Sequence, residues 1–189
     1  RMRTEVGAVD HEVEQPLAAG SNEVAWTVVV ERPELWWPHV LGDPTLHDLR
    51  VAVTTGDGGS DGGVSDERRV RVGLRSVSLR AWVCSVNGER LFLKGACHGP
   101  TRVALAEATP AEVRADVDHA LAAGLDLLRV QGHVARPELY DAADEAGLLL
   151  WQDLPLHGRY PRGVRRQAVH QAQALVDLHL GQQPQTHRR

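Results

Sequence analysis

Lysine is almost missing from this chain of 189 residues. Twenty of its 21 basic residues are arginine and only Lys94 is lysine, a bias that reads as coding preference rather than a phosphate-binding device. The formal charge is −4 and no basic stretch stands out, which argues against nucleic acid as a partner. No apolar run approaches the length needed to span a bilayer, and the first residues carry no signal-peptide core, so no membrane partner is expected. Two cysteines, Cys84 and Cys97, are too few for a disulfide framework and fit a reducing, cytoplasmic setting. Asparagine occurs only at positions 22 and 87. An apolar content of 42% excludes a disordered chain and suffices for one large core or two small ones.

The first part reads as β structure. In Ala25–Glu31, Trp26, Val28 and Val30 fall on one face of a strand. Leu49, Val51 and Val53 alternate in the same way, as do Val70, Val72, Leu74, Val77 and Leu79 further on. Between them, Gly56 to Gly63 has the composition of a loop and lacks the acidic spacing of a calcium-binding one. The chain begins with no helix cap or strand signal, as though mid-domain, which hints at a fragment. Short strands without helical period predict an immunoglobulin-like β-sandwich over residues 1–79. Within it, Trp36-Trp37-Pro38 could form a sugar-stacking platform, but paired tryptophans more often pack a core or a domain seam, and the seam is preferred.

Residues 80–189 alternate strand and helix. An Asn87-Gly88 hairpin leads into three apolar runs, Leu91–Ala96, Leu125–Val130 and Leu148–Asp153. Near-continuous apolar strands separated by helices predict a parallel sheet. The first helix is announced by a Thr109 cap, Pro110 and Glu112, and ends at Gly124. The second runs from Pro137 to Gly147, and a third is predicted from Val164 to Leu180. After it, Gly181 to Arg189 has no apolar residue, which suggests a domain cut short or a shifted reading frame.

In parallel sheets the chemistry lies past the carboxyl ends of the strands. The residues there are Cys97 and His98, then Arg129, Gln131 and His133, then Asp153 and His157. An arginine inside an apolar strand needs a carboxylate, either in a structural ion pair or as an arginine orienting a catalytic acid. Asp153 suits a substrate hydroxyl, a metal or a turn cap, with the hydroxyl preferred. His98, His133 and His157 follow three different strands and could together hold a hydrolytic metal ion. No His-x-His or His-Glu-x-x-His spacing supports that alternative, and neither metal nor other cofactor is expected. Cys97 has no neighbouring base and reads as a pocket-lining thiol.

Taken in register, Leu35-Trp36-Trp37-Pro38, Gly42-Asp43-Pro44, Val72-Gly73-Leu74-Arg75, Val86-Asn87-Gly88, Phe92-Leu93-Lys94-Gly95-Ala96, Leu128-Arg129-Val130, Leu139-Tyr140-Asp141 and Trp151-Gln152-Asp153 resemble glycoside hydrolase family 2, its β-mannosidase branch above all. The resemblance implies the end of an immunoglobulin-like domain followed by the first three βα units of a (β/α)8 barrel. It implies a retaining exo-glycosidase acting on a β-linked carbohydrate through two glutamates about 5 Å apart. Arg129 would then hold the nucleophile and Asp153 would line the sugar subsite, with His98, His133 and Gln131 nearby. The pattern is broken at Cys97-His98, where an Asn-aromatic pair is usual, and at Gln131-Gly132-His133, where Trp-Gly-Gly is usual. Neither asparagine precedes a glutamate in the required context, so the acid/base and nucleophile are expected beyond Arg189 and the chain itself is expected to be inactive. A non-catalytic carbohydrate-binding or scaffolding remnant is the alternative. Sugar, linkage and oligomeric state are left open.

Overall fold

The computed structural model describes residues 1–54, 63–156, 158 and 160–180, with side chains up to residue 176 in the last helix. The predicted Gly-rich loop (except Gly63), His157 and the polar tail lie outside these residues. Contacts divide the chain into two compact units that are not consecutive stretches. Arg1–Glu34 with His47–Val72 form the first, and Leu35–Leu46 with Gly73–Arg189 the second. The sequence predicts its boundary at residue 79, which falls inside the second of these units.

The first unit holds one antiparallel sheet. Its strands are β1 (Met2–Val6), β2 (Val9–Val13), β3 (His47–Thr54) and β4 (Val64–Val72), in the order β2-β1-β3-β4. Strands β1 and β2 carry a weak alternation that the sequence reading passed over: Met2, Thr4 and Val6 point inward and are buried. Gly7, with φ 55°, turns the chain between them. Within this unit no second sheet, as a sandwich requires, is formed among the described residues. The expected strand over Ala25–Glu31 pairs with nothing there, although Trp26, Val28 and Val30 keep the predicted half-buried face. Side-chain alternation alone does not make a strand; a partner edge must also be in reach. Trp26 is fixed instead by its side chain, Nε1–H donating to Thr4 Oγ1 at 3.0 Å. At the sheet's edge, β4 carries Asp66, Glu67, Arg68, Arg69 and Arg71, charges that discourage further pairing.

The second unit is built on a knot of chain at residues 35–46. Trp36 is fully buried, so it is no sugar platform. Its indole donates to the Asp144 carbonyl at 2.7 Å, and the Arg75 guanidinium stacks on its ring at 4.1 Å. Trp37 closes over Gly42. A three-stranded meander follows, made of β5 (Val77–Arg80), β6 (Val83–Val86) and β7 (Glu89–Leu91). Asn87 and Gly88 both have positive φ, as the predicted type I′ turn demands. The Asn87 side chain accepts from Ser76 N–H and donates to the Trp36 carbonyl, tying the hairpin to the knot.

The parallel sheet comes next: β8 (Gly95–His98), β9 (Leu127–Val130) and β10 (Leu149–Gln152), in the order β10-β9-β8. The first predicted run is therefore split. Leu91 closes the meander, Phe92 is exposed, and the parallel strand starts only at Gly95. Gly95 has a reason to be glycine, since a Cβ there would lie 3.0 Å from the Leu127 carbonyl oxygen.

Helices α1 (Pro110–Ala122) and α2 (Pro137–Ala146) connect these strands. Thr109 and Glu112 form the full predicted capping box, and Gly147 ends α2 in the left-handed region at φ 70°. Val113, Val117 and Ala120 of α1 pack with Leu139, Ala142 and Ala143 of α2 over Leu128 and Val130. A further helix, α3 (Arg165–Leu180), matches its predicted span, yet Val169 and Val176 of its apolar stripe remain exposed.

At the amino ends of the strands, the buried Asp126 accepts from Lys94 N–H at 3.2 Å and lies 3.6 Å from its ammonium. The single lysine is thus a structural counter-ion.

Candidate functional site

The register of the parallel sheet sorts the candidates onto two faces. Cys97, Arg129 and Trp151 align across β8, β9 and β10 and are all exposed. One residue on, His98, Val130 and Gln152 align and point the other way, toward the helices, because side chains alternate along a strand.

On the open face, Arg129 finds its carboxylate. Its Nε donates to both oxygens of Asp153 at 3.0 and 3.1 Å, and an Nη reaches Oδ2 at 2.9 Å. The hydrogen bond and charge of Asp153 raise the pKa of the guanidinium above its ordinary value. Asp153 is held at the strand end by its own N–H, which donates to the Val130 carbonyl at 3.1 Å. The sequence reading needed this pair to offset burial, but Arg129 is half exposed and solvent carries much of the cost. Carboxylate, guanidinium and the exposed Trp151 ring together offer what a polyol would use: acceptors, donors and an apolar surface.

On the helix-covered face, His98 and His133 come together, with ring centres 6.3 Å apart. His98 Nε2 lies 3.1 Å from Asp116 of α1, whose same oxygen accepts the Thr101 hydroxyl at 2.7 Å. His133 Nδ1 lies 3.1 Å from the Gln131 carbonyl. Both rings line a small pocket with Thr101, Leu105, Val113 and Arg136. The Gln131 side chain is exposed; its backbone N–H donates to the His98 carbonyl. The structure therefore groups Arg129 with Asp153 and His98 with His133, on opposite faces. Among the described residues, no three His, Cys, Asp or Glu side chains converge as a metal-ion cage would require. No helix among them is long and apolar enough to cross a membrane.

Residues 3–75 match the family model of glycosyl hydrolases family 2. Over 178 residues the chain is 28% identical to β-mannosidase B of Aspergillus clavatus, covering 82% of this chain and 20% of that protein. It is 28% identical over 161 residues to the Bos taurus β-mannosidase, covering 75% and 18%. The crystal structure of the Dictyoglomus thermophilum β-D-mannosidase superposes with a TM-score of 0.83 over 97% of this chain and 24% of the other, at 22% identity. The chain resembles family 2 glycosyl hydrolases of β-mannosidase type.

It spans about one fifth of the length of the curated relatives it matches. The likeness is not confined to mannosidases. The Amycolatopsis orientalis exo-chitosanase CsxA aligns at 26% identity and a TM-score of 0.55, covering 66% of this chain and 15% of that one.

Some organising residues of this β-mannosidase-like chain escaped the sequence reading. Gln152 donates to the carbonyls of His133 and Asp153 at 2.7 and 2.6 Å while accepting from the Tyr140 hydroxyl at 2.6 Å, which fixes the loop after β9. Asp116 is the other. Its place four residues before the buried Ala120 and one before Val117 puts it at the margin of the apolar stripe, a signal the sequence carries.

Proposed function

We propose that this chain corresponds to the junction of an immunoglobulin-like domain and a (β/α)8 barrel in a retaining exo-β-glycosidase of β-mannosidase type. The observation that carries the reading is the Arg129–Asp153 pair. It lies at the carboxyl ends of adjacent parallel strands, on the face that helices leave open, where barrel enzymes keep their substrates. Asp153 accepts hydroxyl protons of the terminal sugar, and Arg129 holds Asp153 and the nucleophilic carboxylate in their ionised forms. The acid/base and nucleophilic glutamates belong to the part of the relatives that this chain does not span, and no residue here substitutes for them. Glu107, Glu112, Glu138 and Glu145 flank or lie on helices, and the last three are ion-paired to arginines. One-step or two-step glycosyl transfer needs both carboxyl groups about the anomeric carbon.

The test uses the purified chain and an aryl β-mannoside. No turnover is expected, while titration with the non-hydrolysed β-mannoside should change the fluorescence of Trp151 saturably, an effect lost in Asp153→Asn. Measurable hydrolysis would refute the assignment of the catalytic pair to elsewhere. A binding curve unchanged by Asp153→Asn would refute the subsite.

A further inference from the structure

The hydrogen bonds of His98 and His133 fix which ring nitrogens are free. Asp116, as a carboxylate, can only accept, so the 3.1 Å contact requires His98 to carry its proton on Nε2. The Gln131 carbonyl can only accept, so His133 carries its proton on Nδ1. Each neutral ring then keeps a lone pair on its other nitrogen. Those atoms, His98 Nδ1 and His133 Nε2, are both buried and both without a hydrogen-bond partner. Two buried acceptors left open in one pocket are costly, unless something occupies them.

We propose that His98 and His133 form a two-imidazole site for a late first-row divalent transition-metal ion, with Zn2+ as its representative. A metal-binding histidine characteristically donates its second nitrogen to a carboxylate or a backbone carbonyl, which fixes the tautomer and raises the basicity of the ligating nitrogen. Both arrangements are present here, Asp116 behind His98 and the Gln131 carbonyl behind His133. Imidazole suits zinc, nickel and copper better than it suits calcium or magnesium. The spacing also fits. Two imidazoles sharing one ion at metal–nitrogen distances of about 2.0–2.1 Å have ring centres roughly 5 to 6.5 Å apart. The 6.3 Å found here is at the open end of that span. A tetrahedral ion draws the rings together by about 1 Å. No third protein ligand converges on the pair among the described residues, so water completes the shell. Asp116 supplies a compensating negative charge at one remove, and Thr101 holds that carboxylate in place.

This site is independent of the glycosidase reading. It lies on the helix-covered face, one strand position beyond the Cys97–Arg129–Trp151 row and pointing away from it. Its effect is mechanical: a bound ion joins the end of β8 to the loop after β9.

The experiment is a Co2+ titration of the full chain freed of metal by chelation, followed by displacement with Zn2+. One equivalent of Co2+ should develop a visible ligand-field band that Zn2+ abolishes. The band should be lost in His98→Asn and in His133→Asn, and kept in His119→Asn, which alters an exposed histidine of α1. Asp116→Asn should weaken Zn2+ binding by about 10- to 100-fold while leaving the stoichiometry at one. A band that survives both ligand variants, or its absence from the unaltered chain, would overturn the proposal. Should a variant fail to fold, imidazole nitrogen NMR of the unaltered chain decides. Zn2+ must shift His98 Nδ1 and His133 Nε2 selectively, and equal shifts at other histidines would count against the site.

Discussion

Replacing Trp36 by phenylalanine tests the organisation of the second unit most directly. Asp144 lies in the last turn of α2, where carbonyls have no donor within the helix, and the Trp36 indole caps that carbonyl at 2.7 Å. Phenylalanine keeps most of the ring but removes this N–H, and losing that donor at a part-buried carbonyl costs about 1–3 kcal/mol. The smaller ring also leaves a gap beside Gly73, where the indole now lies so close that even an added Cβ would be 2.8 Å from it. Together with a weaker stack for Arg75, that adds about 1 kcal/mol. The expected total is about 2–4 kcal/mol, a large part of the stability of a small domain. All three α-helices belong to this unit, so urea unfolding followed by circular dichroism at helical wavelengths reports on it. The midpoint should fall with the slope unchanged. Trp82→Phe, at a position 88% exposed, should leave the midpoint within about 0.5 kcal/mol of the parent. A Trp36→Phe cost below about 1 kcal/mol would refute the view that the indole is a helix cap as well as a filler.

Other expectations follow from the same contacts. Gly147→Ala combines a left-handed backbone with a Cβ 2.7 Å from the His39 nitrogen, so it should cost more than the roughly 1–2 kcal/mol of the backbone alone, read from the same urea curve. Thr109→Ala removes the side-chain half of the α1 cap and should cost about 1 kcal/mol. Glu112 is held at a pKa of about 2, from an ordinary 4.5, first by Arg102 and then by Thr109. Its folded pKa is depressed, so its contribution is complete above pH 4.5 and is lost as pH falls toward about 2; Glu112→Gln should flatten the melting-temperature profile in that window. Arg129→Ala should leave the urea midpoint nearly unchanged, because the pair is largely solvated, while abolishing β-mannoside binding by the fluorescence titration.

How much of this was legible depended on whether a feature is local. The α1 cap was readable because Thr109, Pro110 and Glu112 act on each other within four residues. Gly147 was readable because only a residue tolerant of positive φ ends a helix in that way. The segment Ala25–Glu31 failed as a strand because its pattern says which side chains face inward and nothing about an available edge. The split of Leu91–Ala96 was invisible because an apolar run looks the same whether it forms one strand or joins two sheets. At the candidate site, the need of Arg129 for a carboxylate was readable from its setting, but its exposure was not, since that depends on which face the helices cover. The meeting of His98 with His133 lay 35 positions apart in sequence, and nothing in either neighbourhood announces the other.

The two breaks in the mannosidase pattern acquire a common meaning from that meeting. Cys97-His98 and Gln131-Gly132-His133 had both counted against an intact sugar pocket. Register divides their effect: Cys97 shares the open face with Arg129, whereas His98 turns toward Asp116 and α1. The His98 substitution therefore leaves the Arg129–Asp153 geometry untouched, and its partner across the pocket is the other substituted position, His133. The two changed positions meet across one pocket, away from the open face. What bears on specificity is the remaining difference, a small thiol at Cys97 beside Arg129, where the mannosidase pattern has an amide able to donate and accept. Cys97→Asn restores that amide on the open face without disturbing either histidine. It should tighten β-mannoside binding in the Trp151 titration, and an unchanged or weaker affinity would show that this position does not face the sugar.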